Sequence, residues 1–367
     1  MEKVMSRKLI TISTIMTLMS TSVIADVPNV AADIAPIHSL VSRVMDGVGA
    51  PKLIVQSGAS PHGYRLRPSE AKALQDAGHV FWIGEELTPW LDSAIDTLAT
   101  KASVTTLLDQ EGVILHDFRE GALFEAHDHS AHGDDDHDDH DDHKDHDDHD
   151  DHDDHDDHDD HDDHKDHDDH DDHDDHKDHD DHDDHDDHDD HDGHDDHGNH
   201  DPHAWLSPEN AKLWLNIIAS KLSVSDPENA ATYFMNAAAG QAEIEEMIAE
   251  VSATLKPVQG GKFVVFHDAY QYFENDFDFY ASGAISLGDS SDPSPARIEK
   301  VQKRIRDEGI QCVLAEPQFK KGLVATVMEG SDATASVIDP LGAELETGPK
   351  LYTQLIKNMA KTLRNCL

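Results

Sequence analysis

Residues 226–255 read DPENAATYFMNAAAGQAEIEEMIAEVSATL. Asp226-Pro227-Glu228 is a helix-opening signature, with a capping carboxylate followed by Pro. No Gly or Pro interrupts Gln241–Leu255, and Gly240 is the one soft point before it. The stretch predicts a single helix of about 28 residues, some 40 Å long at 1.5 Å per residue. On both sides of it, short apolar runs alternate with amphipathic ones. Before it, strands are expected at Val30–Ala35, Pro51–Gln56, His79–Ile83, Val104–Leu107 and Val113–His116. Helices are expected at His38–Gly47, Pro68–Gly78, Thr88–Thr100 and Ser207–Leu222, three of them opening on Pro. After it come strands at Phe263–Phe266, Phe279–Ile285, Gln311–Ala315 and Ser336–Ile338. Helices at Ala269–Phe273, Pro295–Asp307, Lys320–Met328 and Lys350–Asn365 separate and follow them. Strand–helix alternation on each side of one long helix predicts an α/β fold. Two (β/α) lobes with mainly parallel sheets would be joined by that long, rigid helix.

The charge of the chain is concentrated in one place. From Asp134 to His197 the sequence repeats Asp-Asp-His with a period of three, broken by Lys144, Lys165, Lys177 and Gly193. This tract holds 39 Asp and 3 Lys, a net charge of −36 out of −50 for the whole chain. It has no apolar residue to bury and repels itself, so it is expected to be disordered. Its imidazole nitrogens and carboxylate oxygens suit zinc, then nickel and copper, better than calcium or magnesium. The loop from His127 to His200 is therefore an auxiliary metal-binding loop with many weak, exchangeable ligand sets. A net charge of −50 excludes nucleic acid as a partner, because phosphate recognition needs clustered Lys and Arg.

Residues 1–25 read as a secretory signal: Lys3, Arg7 and Lys8, then an apolar-leaning Leu9–Met19, then Val23-Ile24-Ala25 as a cleavage site. Export, with cleavage near Ala25, is the expectation. The two Cys, Cys312 and Cys366, then sit in an oxidising compartment, where an even count argues for one disulfide.

Outside the tract and its margins, the histidines are His38, His62, His79, His116, His203 and His267. Three occupy comparable places. His62 follows a strand, His203 sits in the ordered-looking Pro202-His-Ala-Trp-Leu-Ser-Pro208, and His267 ends a strand. In open α/β sheets, ligands bind beyond the carboxyl ends of strands. Three neutral imidazoles leave a tetrahedral zinc one ligand short. Asp339, after the strand Ser336–Ile338, is the candidate fourth ligand, with water as the alternative. Glu316 and Asp268 are candidates to orient the imidazoles from behind. His38, His79 and His116 read as ordinary loop or core residues.

Five segments carry a family likeness. They are Gly58-Ala-Ser-Pro-His-Gly-Tyr-Arg-Leu-Arg-Pro-Ser69, Pro202–Pro208, Val265-Phe-His-Asp-Ala-Tyr-Gln-Tyr-Phe273, Cys312-Val-Leu-Ala-Glu-Pro-Gln-Phe319 and Ile338-Asp-Pro-Leu-Gly342. Together, and in this order, they resemble the ZnuA family, the zinc-binding periplasmic components of ABC uptake transporters. The resemblance implies a metal-type periplasmic solute-binding protein that binds Zn2+ between its lobes and delivers it to a membrane permease. It implies His62, His203 and His267 as metal ligands and Cys312–Cys366 as the disulfide. Some members have an acidic residue just before the first ligand His. Here that residue is Pro61, which leaves the fourth position to water or Asp339. Manganese-binding relatives use an Asp at the late strand end, and three His favour zinc over that harder ion.

The resulting division is 1–25 signal, 26–126 first lobe, 127–200 His/Asp loop, 201–224 return of the first lobe, 225–256 connecting helix and 257–367 second lobe. The expected partners are an ABC permease and a periplasmic zinc chaperone, with the protein itself a monomer. A stand-alone zinc buffer, or an importer of another divalent ion such as Mn2+, is the alternative. A zinc hydrolase would share the three-His pattern, but no HExxH and no evident general base accompany it, so no enzyme is expected. On saturation the loop is expected to collapse over the cleft mouth. Its zinc affinity is expected to fall below about pH 6 as its imidazoles protonate. Zinc titrations at pH 7.5 and 5.5 check this by the disappearance of the weak sites at the lower pH.

Overall fold

The computed structural model describes residues 27–119, 124, 200–286, 293–318 and 321–367. The expected signal at 1–25 and all of the His/Asp loop except His200 lie outside the described residues. In chain order the first half holds β1 (Val30–Ala32), α1 (Ala35–Val44), β2 (Lys52–Leu53), α2 (Pro68–Asp76), β3 (His79–Trp82), α3 (Pro89–Leu98), β4 (Ser103–Thr106) and α4 (Pro208–Ser225). Then comes α5 (Ala230–Leu255). The second half holds β5 (Phe263–His267), α6 (Gln271–Phe277), β6 (Ala284–Ser286), α7 (Pro295–Glu308), β7 (Cys312–Ala315), α8 (Lys321–Met328), β8 (Thr334–Val337) and α9 (Leu351–Cys366). Each half builds one four-stranded sheet, and the two have the same order: β2-β1-β3-β4 and β6-β5-β7-β8. Every pairing is parallel. The α/β expectation of two parallel-sheet lobes and one long helix is what the structure has.

The long helix is 26 residues, against about 28 expected, and starts later than Asp226. Asp226 instead ends α4 and turns the chain. Its Oδ2 accepts from Asn229 Nδ2 (2.7 Å) and from the Tyr233 hydroxyl (2.7 Å), which locks the first turn of α5. Tyr233, Ala237, Gly240, Ile244, Met247, Val251 and Leu255 are the buried residues of α5, spaced by three and four. A Cβ on Gly240 would stand 3.0 Å from Leu215 Cδ1 and 3.1 Å from Arg43 Cγ, so glycine is what lets α1 and α4 come this close. Through this stripe one hydrophobic core runs from Val30 and Ile37 in the first lobe to Phe263, Tyr352 and Leu363 in the second. The lobes are thus welded through shared apolar packing.

Expected strands are shorter in places, Val30–Ala35 contracting to Val30–Ala32 and Pro51–Gln56 to Lys52–Leu53, and two others differ more. Val113–His116 is not a strand. Its backbone is satisfied by side chains: Ile114 N–H donates to Asn210 Oδ1 (2.8 Å), Asn210 Nδ2 donates back to Ile114 O (3.0 Å), and His116 N–H donates to the Tyr272 hydroxyl (3.1 Å). Only the next residue, Asp117, forms an isolated bridge, with His200. Phe279–Ile285 contracts to Ala284–Ser286, because the left-handed Asp278 and Gly283 (φ 153°) bend the chain first. At the first sheet's switch point, fully buried Asp33 accepts from Ile34 N–H and Ile83 N–H (2.7 Å each), tying the end of β1 to the end of β3. Burial pushes its carboxyl up to about 7 against the opposing pull of those bonds.

Cys312 of β7 and Cys366 of α9 are joined, with Cα atoms 5.6 Å apart and a separation of 54 positions in sequence. A closed loop of this length stabilises by about 4 kcal/mol in the chain-entropy model. Reduction, or Cys366→Ala, is expected to lower the free energy of unfolding by about 2–4 kcal/mol. Denaturant melts with and without reductant measure this.

Candidate metal centre

Each of the three histidines singled out from the sequence is held by a different device. His62 rides the loop between β2 and α2. Trp90, at the start of α3, donates its indole N–H to Pro61 O (2.7 Å) and packs against the Tyr64 ring. Tyr64 in turn donates to Glu70 Oε1 (2.7 Å), and Glu70 Oε2 caps the Arg67 N–H of α2 (2.7 Å). His203 precedes a short 3-10 turn, Ala204–Leu206. Asp201 Oδ1 accepts from both the His203 backbone N–H (3.0 Å) and its ring Nδ1 (2.6 Å). His267 is the last residue of β5, and its Nδ1 donates to Glu316 Oε1 (2.5 Å), just past β7. Because β5 and β7 are neighbours, strand and orienting carboxylate meet at the second sheet's switch point.

A carboxylate of this kind only accepts, so both paired Nδ1 atoms carry the proton. That leaves the Nε2 lone pairs of His203 and His267 facing one another, 3.4 Å apart. Two imidazole nitrogens on one tetrahedral zinc, each at about 2.0–2.1 Å from it, would stand about this far apart. His62 completes the set: all three rings offer a nitrogen within 4.8 Å of the others. His203 and His267 are buried, and His62 is partly exposed. The cavity they line with Pro61, Trp205, Gln318, Pro340 and Leu341 is about 10 Å³, room for one small ion or water and no organic substrate. The donor set and the volume both fit zinc.

The other sequence candidates fall elsewhere. Asp339 is not in the ligand group among the described residues. Its carboxylate accepts the backbone N–H groups of Leu341 (3.0 Å), Gly342 (2.9 Å) and Ala343 (2.6 Å), so it organises its own loop. Glu316 is hydrogen-bonded to the His267 ring, and the Asp268 carboxylate accepts from the Arg119 guanidinium. His38 is bonded to Pro51 O (3.2 Å) and burial lowers its pKa. His79 meets Ser225 Oγ (2.6 Å), also shifted down by burial. His116 lies against the Tyr272 ring, 4.7 Å between centroids.

Comparisons with known proteins give the family. Residues 30–366 match the family described as ZnuA, zinc-uptake complex component A, periplasmic. The chain belongs to the ZnuA family. It is 46% identical over 338 residues to the high-affinity zinc uptake system protein ZnuA of Brucella abortus, covering 92% of this chain and 91% of that one. It is 41% identical over 344 residues to ZnuA of Paracoccus denitrificans, covering 94% and 93%. A crystal structure of ZnuA superposes with a TM-score of 0.63 at 19% identity, over 93% of this chain and 99% of the other, which shows the fold. ZnuA-family proteins are periplasmic solute-binding components of zinc uptake and not enzymes. Among the described residues no helix is long and apolar enough to cross a membrane.

Two residues of this ZnuA-family cavity escaped the sequence reading. Asp201 had a local signal, an acid two residues before a ligand-type His. Gln318 had none beyond lying two residues after Glu316, to whose Oε2 it donates Nε2–H (2.8 Å). Each imidazole–carboxylate pair is expected to matter for metal affinity. Asp201→Asn and Glu316→Gln should each weaken zinc binding about 10–100-fold. Competition with a chromophoric chelator measures the loss.

Proposed function

We propose that this protein captures one Zn2+ with the Nε2 atoms of His203 and His267 and a ring nitrogen of His62, and hands it to the membrane permease of an ABC transporter. The observation that carries this reading is the 3.4 Å approach of the two Nε2 atoms, each ring held by a carboxylate on its far side. Water is the fourth ligand, because Asp339 spends both carboxylate oxygens on backbone N–H groups. Among the described residues, the group that could hold a metal is made of three imidazoles. That favours zinc over manganese, which prefers oxygen. The expected borders of the signal, lobes, loop and connecting helix are part of the same reading, as are export with cleavage near Ala25 and a monomeric state. The His/Asp loop, His127–His200, acts as a collector that raises the local zinc concentration with many weak sites. A periplasmic zinc chaperone is a second donor in the same role.

Zinc titration of three forms tests the assignment. The full chain should show one tight site and several weak ones. Deletion of residues 127–200 should remove only the weak ones. The triple change His62→Ala, His203→Ala, His267→Ala should remove only the tight one. Loss of the tight site with the loop would place the main site in the loop and refute the assignment.

A further inference from the structure

Arg119 takes no part in the ligand set, yet it makes the densest polar contact near it. Its Nε donates to both carboxylate oxygens of Asp268 (3.0 and 3.1 Å), and its Nη2 to Oδ1 of the same group. Its Nη1 donates to Glu274 Oε2 (2.6 Å). The Phe124 ring covers the guanidinium at 3.6 Å. The side chains of Asp268 and Glu274 are 6% and 1% exposed, and that of Arg119 is 18% exposed. Arg119 arrives on the first-lobe segment whose Asp117 bridges to His200. Asp268 is the residue after the ligand His267, and Glu274 lies on α6, which follows it. The guanidinium therefore spans from the half that carries His62 and His203 to the backbone that carries His267.

We propose that Arg119 is a positioning residue that sets how long the metal stays: its ion pairs with Asp268 and Glu274 clasp the His267 segment against the first lobe. The proposal rests on the three-His reading of the cavity. A metal held by ligands from both halves leaves more readily when the His203–His267 separation can grow. Other ties cross between the halves, such as Trp205 Nε1–H to Pro340 O (2.8 Å) and Tyr272 O–H to Asp201 O (2.7 Å). These are neutral single bonds. The Arg119 contact is bidentate, charge-assisted and largely withdrawn from water, the geometry that makes such pairs strong. Interface changes of this kind act mainly on dissociation rather than association.

The test is stopped-flow release of zinc from the full chain loaded with one equivalent, driven by excess EDTA. Trp fluorescence is the signal, Trp205 lying 5.2 Å from the His203 ring. Arg119→Met should release zinc about tenfold faster or more, with association within about twofold of wild type, as expected for a change confined to dissociation. Arg119→Lys keeps the charge but not the fork and should fall between the two. Asp268→Asn should match Arg119→Met, and the double change should add nothing further. Unchanged release in these variants overturns the proposal, as does an equal fall in association. Should Arg119→Met fail to fold, Arg119→Lys and Asp268→Asn decide the matter by the same criterion. A wild-type slow phase that survives His203→Ala would instead overturn the three-His reading, which keeps the two failures apart.

Discussion

Two imidazole–carboxylate hydrogen bonds, His203 to Asp201 and His267 to Glu316, are what the rest of the site depends on. A histidine ring free to flip or change tautomer offers a metal the wrong nitrogen half of the time. Here each ring is fixed from behind by a buried acceptor, so its Nε2 is aimed. The carboxylates also make the rings better donors, since the proton each holds is drawn toward a negative oxygen. Selectivity follows from what is kept out. Asp339 is engaged by three backbone N–H groups and Asp268 by a guanidinium. Among the described residues, the group that could hold a metal is three imidazoles with no carboxylate among them.

The fold makes that convergence durable. Ligands from two separate sheets would be poorly placed if the sheets moved independently. They do not: α5 lays a stripe of small and apolar residues into a core common to both lobes. Gly240 allows the close approach of α1 and α4, and Tyr352 of α9 donates to Trp205 O (2.9 Å), two residues after His203. Large hinge closure of the kind that reshapes a cleft by tens of degrees would have to break this core. Capture and release are then matters of local contacts at the cleft.

Much of this was legible in the sequence because it rests on local chemistry. The helix of α5 announces itself by spacing and by the absence of breakers. The repeating strand–helix order gives two parallel sheets, and the strand-end rule brings His62, His203 and His267 into consideration together. What could not be read were partnerships between distant residues. Asp268 looked like an orienting group because it adjoins His267, but a guanidinium 149 residues away had claimed it. Asp339 had the right position for a ligand, and the turn that follows it consumed its oxygens. Val113–His116 has strand composition, yet Asn210 and Tyr272 supply the hydrogen bonds a neighbouring strand would have given. Composition records which groups are available and not which neighbour satisfies them.

The central claim is a statement about protons, and it can be read directly. Nitrogen-detected NMR of the imidazole side chains in the metal-free protein, with residues 127–200 deleted to remove overlap, reports which ring nitrogen carries hydrogen in each histidine. The account predicts that His203 and His267 are both locked with the proton on Nδ1 and a bare Nε2, and that zinc shifts both Nε2 signals together. A ring protonated on Nε2, or averaging between tautomers, at either position would contradict it.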